Sequence, residues 1–320
     1  MQQTILLTGA TGFVGGAILK RLHDENKYSV MVAVRERARD TIKNVPQIRI
    51  ESFDGDTKWE GHFATVDVII HSAARVHVMN DVETDPLAAF RKVNVEGTLN
   101  LARQAANAGI RRFIFISSIK VNGEGTEHGV AYTADDIPAP RDPYGISKME
   151  AEQGLRKLAA DTAMEVVIIR PVLVYGPGVK ANFLNMMRWL DKGIPLPFGA
   201  IHNSRSLVAI DNLVDLIVSC IDHPAAANQT FLVSDGEDLS TTVLLSKMAK
   251  ALNKPARLIP IPSWMLQGVA ALVGKKGLSQ RLCGSLRVDI SKTRSLLGWT
   301  PPRSVDEALA NTAKHFLENK

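Results

Sequence analysis

The sequence predicts an α/β protein built on a doubly wound parallel sheet, with a smaller C-terminal lobe. Three observations predict it. Short apolar runs alternate with helix-spaced segments as far as about residue 175. The run at 66–71 is nearly continuous in apolar residues, as a parallel strand covered on both faces should be. The first strand, Thr4-Ile5-Leu6-Leu7, passes at once into Thr8-Gly9-Ala10-Thr11-Gly12-Phe13-Val14-Gly15 and then into the helical positions Ala17, Ile18, Leu19 and Leu22. Strand, glycine turn and helix form the context in which a phosphate-cradling turn is expected.

Taken in order, further strands are expected at 29–34, 48–53, 66–71, 113–116 and 166–170. A long helix is expected over 86–108, with Leu87, Phe90, Val93, Val95, Leu99 and Leu101 on its apolar side and Gly109 as its stop. A second long helix is expected over 143–160. Alternation of this kind implies right-handed crossovers, with ligands beyond the carboxyl ends of the strands. After Pro171 the character changes, through Gly176-Pro177-Gly178 and Ile194-Pro195-Leu196-Pro197-Phe198-Gly199. The division expected is a dinucleotide-binding domain over 1–175 and a second lobe over most of 176–320, closed by a helix at 305–317. A segment near 206–235 returns to the first domain through strands at 206–210 and 231–233.

Composition excludes several classes. Hydrophobic residues make up 45% and charged residues 22%, and the net charge of +5 is spread without a block that would suggest a nucleic-acid tail. Cys220 and Cys283 have no metal-ligand spacing and, as two lone thiols, fit a reducing cytosol. The first apolar run is too short for a signal peptide, and no apolar stretch reaches the length of a membrane span. The apolar stretch 264–274 reads as a buried helix, with a peripheral membrane contact as the alternative.

Four features fall at strand tips. In the glycine turn, Gly9 permits the tight bend, Gly12 clears the approach of a pyrophosphate, and Gly15 lets the helix pack close to the strand. The turn and the helix start, Thr11, Phe13 and Val14 included, then face the phosphates with free N–H groups. His71-Ser72-Ala73-Ala74 follows the fourth strand, and the small Ala73 and Ala74 leave room for a cofactor. Ser117-Ser118 follows the fifth strand. Tyr144-Gly145-Ile146-Ser147-Lys148 is a Y-x-x-x-K at a helix start, which places the phenol and the amine on one helical face. A lysine ammonium beside a phenol favours the phenolate, which makes Tyr144 a candidate general acid/base, with Ser118 bonding the same substrate oxygen. At the tip of the second strand, where a carboxylate would hold the adenosine ribose, stands Arg35, a residue suited to the 2′-phosphate of NADP. Glu36 offers the alternative, the ribose of NAD, and Asp54 is a candidate contact for adenine.

These motifs, together with VNVEGTLNL, ISSIKVNGE and RPVLVYGP, occur in an order that resembles the extended short-chain dehydrogenases/reductases acting on nucleotide sugars, over essentially the whole chain. The resemblance implies a Rossmann-type fold, an NAD or NADP cofactor, a Ser118–Tyr144–Lys148 catalytic set, and a C-terminal lobe that binds a UDP-sugar. It further implies a polar structural role for Asn94, contact of Asn182 with the sugar nucleotide, and an Arg205 that holds the diphosphate. Dimerisation through the helices near 86–108 and 143–160 is implied as well. Members that dehydrate the sugar usually carry Thr-Asp-Glu at the fifth strand tip; here the triplet is Ser118-Ile119-Lys120, so chemistry at C4 remains. SSIKVNGE with HSAARVHVM looks most like reductases of UDP-4-keto-6-deoxy-N-acetylglucosamine, which form UDP-N-acetylquinovosamine for surface polysaccharide. Exchangeable NADP(H), with NAD(H) as the alternative, agrees with Arg35. The second reading is a UDP-hexose 4-epimerase with retained NAD, and a distant third is a non-catalytic dinucleotide sensor. His77 and Met79 are expected to line the sugar pocket, and Leu286 stands where epimerases carry a residue that gates sugar size.

Overall fold

A computed structural model describes residues 2–35, 45–76, 85–272, 280 and 282–320. Among them, seven parallel strands form the main sheet in the order β3-β2-β1-β4-β5-β6-β9. The strands are β1 (Thr4–Thr8), β2 (Ser29–Arg35), β3 (Gln47–Ile50), β4 (Val68–His71), β5 (Arg112–Ile116), β6 (Glu165–Pro171) and β9 (Thr230–Val233). β1 lies between β4 and β2, with Ile5 to Thr8 in register with Val68 to His71 on one side and Thr4 to Thr8 with Ser29 to Ala33 on the other. The chain reverses its winding between β1 and β4, so the crevice of this sheet opens between the glycine turn and Ser72-Ala73-Ala74. β4 and β5 are buried along their whole length, because helices cover both faces.

The covering helices are α1 (Phe13–Glu25) and α6 (Ile210–Asp222) on one face, and α3 (Thr98–Asn107) and α4 (Pro143–Asp161) on the other. The helix expected over 86–108 is three segments: α2 (Pro86–Arg91), a π-helical turn Lys92–Gly97, and α3. The wider turn carries Asn94, whose buried amide caps a neighbouring loop. A π-turn inside an α-helix is costly enough that it commonly marks a functional position.

A second sheet joins β7 (Leu173–Tyr175), β8 (Arg205–Ala209) and β10 (Asp238–Leu239) in the order β10-β8-β7. Here the structure departs from the sequence reading. Of the two strands expected to return to the main sheet, β9 does so, paired with β6, but β8 pairs with β7 and β10 instead. The apolar stretch itself cannot say which sheet it joins. Around this sheet α5 (Ala181–Asp191), α7 (Thr241–Ala251) and α10 (Val305–Glu318) bury a separate apolar cluster about Tyr175, Phe183, Met187, Leu245 and Leu309. α9 (Ser291–Leu297) packs back against β9, with Thr293 Oγ1 donating to the Leu232 carbonyl at 2.7 Å.

α8 (Ser263–Leu272) corrects a second expectation. It is apolar but not buried: Trp264 is 71% and Leu272 89% exposed. Residues 273 and 274 of that stretch lie outside the described residues. No described helix is long and apolar enough to cross a membrane.

Candidate active site

The carboxyl ends of β1, β4 and β5 and the start of α4 meet at one corner. The glycine turn is built by backbone proximity. Gly9 has φ +76°, and a β-carbon there would lie 2.6 Å from the Ala73 amide nitrogen. A β-carbon on Gly15 would fall onto the Gly9 carbonyl. The turn is thus pressed against the Ser72-Ala73 backbone on one side and against its own helix on the other. Gly12, at the N-cap of α1, offers no side chain to the first-turn amides, and α1 carries no acid in that turn. Thr11 and Gly12 are exposed, Phe13 and Val14 half-buried. This turn, which admits no β-carbon at Gly9 or Gly15 and leads into an α1 N-terminus with no side-chain cap, fits the pyrophosphate of a dinucleotide.

Behind it the loop after β4 is pinned by Thr8 and His71. Ala73 N–H donates to Thr8 Oγ1 at 3.2 Å, and Thr8 Oγ1 lies 2.6 Å from His71 Nδ1. His71 Nε2 lies 2.9 Å from Thr98 Oγ1. Both ring nitrogens are therefore engaged by threonine hydroxyls, which can donate or accept to suit either neutral tautomer. Burial, with the nearby Lys148, holds the His71 pKa well below its ordinary value, so the ring is neutral. It is stacked between Phe53 and Phe115. Asn94 fixes the next stretch of loop: its Oδ1 accepts from Arg75 N–H at 2.8 Å, and its Nδ2 donates to the Arg75 carbonyl and to Ser147 Oγ, each at 3.0 Å. That is the polar structural role expected of it, and it ties the β4 loop to α4.

Ser118 caps a short 3-10 turn, Ile119–Val121, that packs on α4, its hydroxyl accepting from Lys120 N–H at 3.3 Å. Asp142 is the N-cap of α4, accepting from Gly145 N–H at 2.6 Å, and it forms an ion pair with Lys120. Tyr144 sits in the first turn, half-buried and edge-on to Phe90. Lys148, one turn on, is 2% exposed; its Nζ donates to the Ile116 carbonyl at 2.8 Å and lies 4.3 Å from the centre of the Phe115 ring.

The electrostatics differ from the sequence expectation in one respect. Burial first, and the Asp142 carboxylate second, push the Tyr144 phenol above its ordinary pKa rather than toward neutrality. Its neighbour is affected as well: burial lowers Lys148 to about 7, against the opposing pull of Glu152, so the cation expected to favour a phenolate is itself weakened. Tyr144 therefore stands as a phenol, the proton-donating state.

One polar cluster was missed by the sequence reading. Glu152, on the face of α4 that carries Lys148, is fully buried and accepts from Ser117 Oγ at 2.5 Å, from Arg156 at 2.8 Å, and from Arg170 through Nε and Nη2 at 2.9 and 2.6 Å. Arg170 also donates to Asn122 Oδ1 at 2.9 Å. The available signals were the Glu four residues after the lysine and an arginine inside the otherwise apolar strand VVIIRP.

The remaining expected residues lie elsewhere. Arg35 ends β2 and is exposed, and Glu36 lies outside the described residues, as do His77 and Met79. Burial opposes ionisation of Asp54, but the Asp56 amide, Ser52, Thr57 and Lys92 outweigh it and hold its carboxyl below the usual range. Asn182 is exposed at the start of α5, one residue after Ala181 at φ +56°, a strained position for a residue with a β-carbon. Arg205 opens β8 and donates to the Gly284 carbonyl at 3.0 Å, next to Leu286 in the β-bridge between them. Leu286 is 7% exposed and belongs to the main core, which leaves it little surface for gating a sugar. A cleft of about 560 Å³ lined by Asp222, His223 and Trp299 lies toward the amino ends of the strands, where Arg112 opens β5 and donates to the carbonyls of Cys220 and His223. It is remote from the strand tips and plays no part in the site.

A family model described as the NAD dependent epimerase/dehydratase family matches residues 5–234. The chain is 51% identical over 319 residues to a UDP-glucose 4-epimerase of Vibrio cholerae, covering 99% of this chain and 97% of that one. Among solved structures it is similar to UDP-glucuronic acid 4-epimerase from Bacillus cereus in complex with NAD, with a TM-score of 0.79, 21% identity and 99% of each chain covered. It is also similar to UDP-glucose 4-epimerase from Thermotoga maritima with UDP-glucose, with a TM-score of 0.76, 24% identity and 99% of each chain covered. At these identities the two structures speak for the fold.

Proposed function

As the chain belongs to the NAD dependent epimerase/dehydratase family, we propose that it is a UDP-sugar 4-epimerase that retains NAD. The observation that carries this reading is the end-to-end likeness to the Vibrio cholerae epimerase. The reductase expectation, drawn from shorter motifs, yields to it. NAD, when bound, would supply the reversible hydride acceptor that inversion at C4 of the sugar requires.

The chain's own residues handle the proton and the positioning. In this reading Tyr144 takes the proton of the C4 hydroxyl in the oxidising half and gives it back in the reducing half. Ser118 holds the same oxygen, and the Lys148 ammonium supports the phenolate when it forms. The phenol state of Tyr144 suits the reducing half; the oxidising half draws on Lys148 carrying its proton, which near neutral pH it does part of the time. The glycine turn cradles the pyrophosphate, with Ala73 and Ala74 alongside it. Asp54 serves the adenosine end, and Asn182 and Arg205 serve the UDP-sugar. NAD rather than NADP is favoured by the family's NAD dependence, while Arg35 at the β2 tip speaks for the 2′-phosphate. The homodimer implied by the resemblance, through α2, α3 and α4, is part of the same proposal.

A paired assay tests it. One arm holds UDP-glucose, or UDP-N-acetylglucosamine, with no added cofactor; the other holds UDP-4-keto-6-deoxy-N-acetylglucosamine with NADPH or NADH. The 4-epimer in the first arm, with NAD released on denaturing the protein, is the expected result. Loss of NADPH absorbance in the second arm alone would replace it with the 4-ketoreductase.

A further inference from the structure

α8 is an exposed helix with no charged side chain in it: Ser-Trp-Met-Leu-Gln-Gly-Val-Ala-Ala-Leu. Such a helix in water leaves its apolar surface uncompensated, and apolar helices are ordinarily covered. Its exposed residues do not stand alone. Met265 N–H bonds the Pro262 carbonyl, Ile259 N–H bonds the Leu196 carbonyl, Leu196 N–H bonds the Arg257 carbonyl, and Ile194 N–H bonds the Trp189 carbonyl. These bonds stitch the loop before α8 to the end of α5, and along that seam Trp189, Ile194, Ile259, Trp264 and Met265 all face solvent. Two of the chain's four tryptophans are exposed here, at 40% and 71%; the other two, Trp59 and Trp299, are buried.

Along the sequence the charge is one-sided: from 239 to 288 there are eight lysines and arginines and no aspartate or glutamate, where 33 acids in 320 residues would place about five. In the fold Lys247 pairs with Glu237 and Asp306 and Arg287 with Asp238, and Lys275, Lys276 and Arg281 lie outside the described residues. At the seam, Lys192, Lys254 and Arg257 are exposed. The acid beside them, Asp191, is paired with both Lys254 at 3.8 Å and Lys320 at 2.6 Å.

We propose that this face of the C-terminal lobe docks on an anionic lipid surface, with α8 lying in the interface and the basic residues meeting the headgroups. Tryptophan has an apolar body and a polar edge, which suits it to headgroup depth. An apolar helix flanked by cations is the pattern that binds acidic bilayers peripherally, by burial and charge together. A second copy of the chain is a poorer occupant. A two-fold contact sets the same patch against itself, and here that would bring like cations face to face. This inference does not rest on which sugar the enzyme uses.

The test is co-sedimentation of the full-length protein with vesicles of equimolar phosphatidylglycerol and phosphatidylcholine, beside phosphatidylcholine alone. Expected are pelleting with the anionic vesicles only, release by added salt, and a Trp264→Asp variant whose partition falls about tenfold while its epimerase turnover is unchanged. In the wild type, tryptophan emission should be quenched by brominated phosphatidylglycerol, a readout that needs no variant. Failure to bind either vesicle, or equal binding of Trp264→Asp, overturns the proposal. An oligomer in sedimentation velocity that Trp264→Asp dissociates, with no vesicle binding, overturns it in favour of a second copy.

Discussion

Helix α4 holds two buried ionisable clusters one turn apart, and they are built on opposite principles. Glu152 meets a bidentate Arg170, together with Arg156 and Ser117, so its charge is compensated on every side. Lys148, four residues earlier, is as deeply buried but has a carbonyl, an aromatic ring and only the more distant pull of Glu152. The first arrangement fixes charge states and holds α4 against β6. The second leaves a proton loosely held near neutral pH. A site that must hand protons back and forth is served by such weak commitment, and a structural pair beside it supplies the rigidity. The difference teaches that burial alone does not decide the role of a charged side chain; the number of its partners does.

The largest expected effect tests the proton-transfer half of this contrast. Tyr144→Phe should lower turnover roughly a hundred- to ten-thousand-fold, with dinucleotide binding and thermal midpoint close to the parent. Steady-state rates beside a melting curve check it, and near-full activity would remove Tyr144 from the chemistry.

Next in size is the structural half. Glu152→Gln leaves Arg170 buried without its counter-charge, and the expected cost is about 3 to 5 kcal/mol in denaturant unfolding. A loss below about 1 kcal/mol would show the pair to be no more than a surface-like contact, and the contrast would fail.

Lys148→Met sharpens the comparison by sign. The amine's pKa is lowered by folding from 10.5 to about 7. The folded state therefore binds fewer protons than the unfolded chain across that window, and stability of the parent should rise with pH through it, by about 1.4 kcal/mol per pH unit at most. Below pH 7 the buried ammonium costs the most, so there the methionine variant should exceed the parent by its widest margin, while turnover is lost. Equal pH slopes for parent and variant would contradict the desolvated lysine.

The smallest effect concerns the cap. Asp142→Asn keeps an acceptor for Gly145 N–H, so stability should change by less than about 1 kcal/mol. It removes a negative charge that raises the Tyr144 pKa, so the limb of the kcat/KM profile that reports Tyr144 should move to lower pH by less than about one unit. A move the other way would show that the Asp142 charge does not hold the phenol's pKa up.

By itself the sequence determined what neighbours along the chain can encode. β1, the glycine turn and α1 were legible because strand alternation, the absence of β-carbons and helical spacing are local rules. Tyr144 and Lys148 were legible for the same reason, being four apart on one helix. The tertiary structure alone decided the rest. β8 left the main sheet because strand pairing depends on which edges are free. The pairing of Glu152 with Arg170 spans a helix and a strand. The exposure of α8 reverses what its apolar composition suggested. The state of Lys148 is set by desolvation, a property of everything packed around the amine. Burial and charge compensation sum over residues distant in sequence, and no local pattern carries that sum.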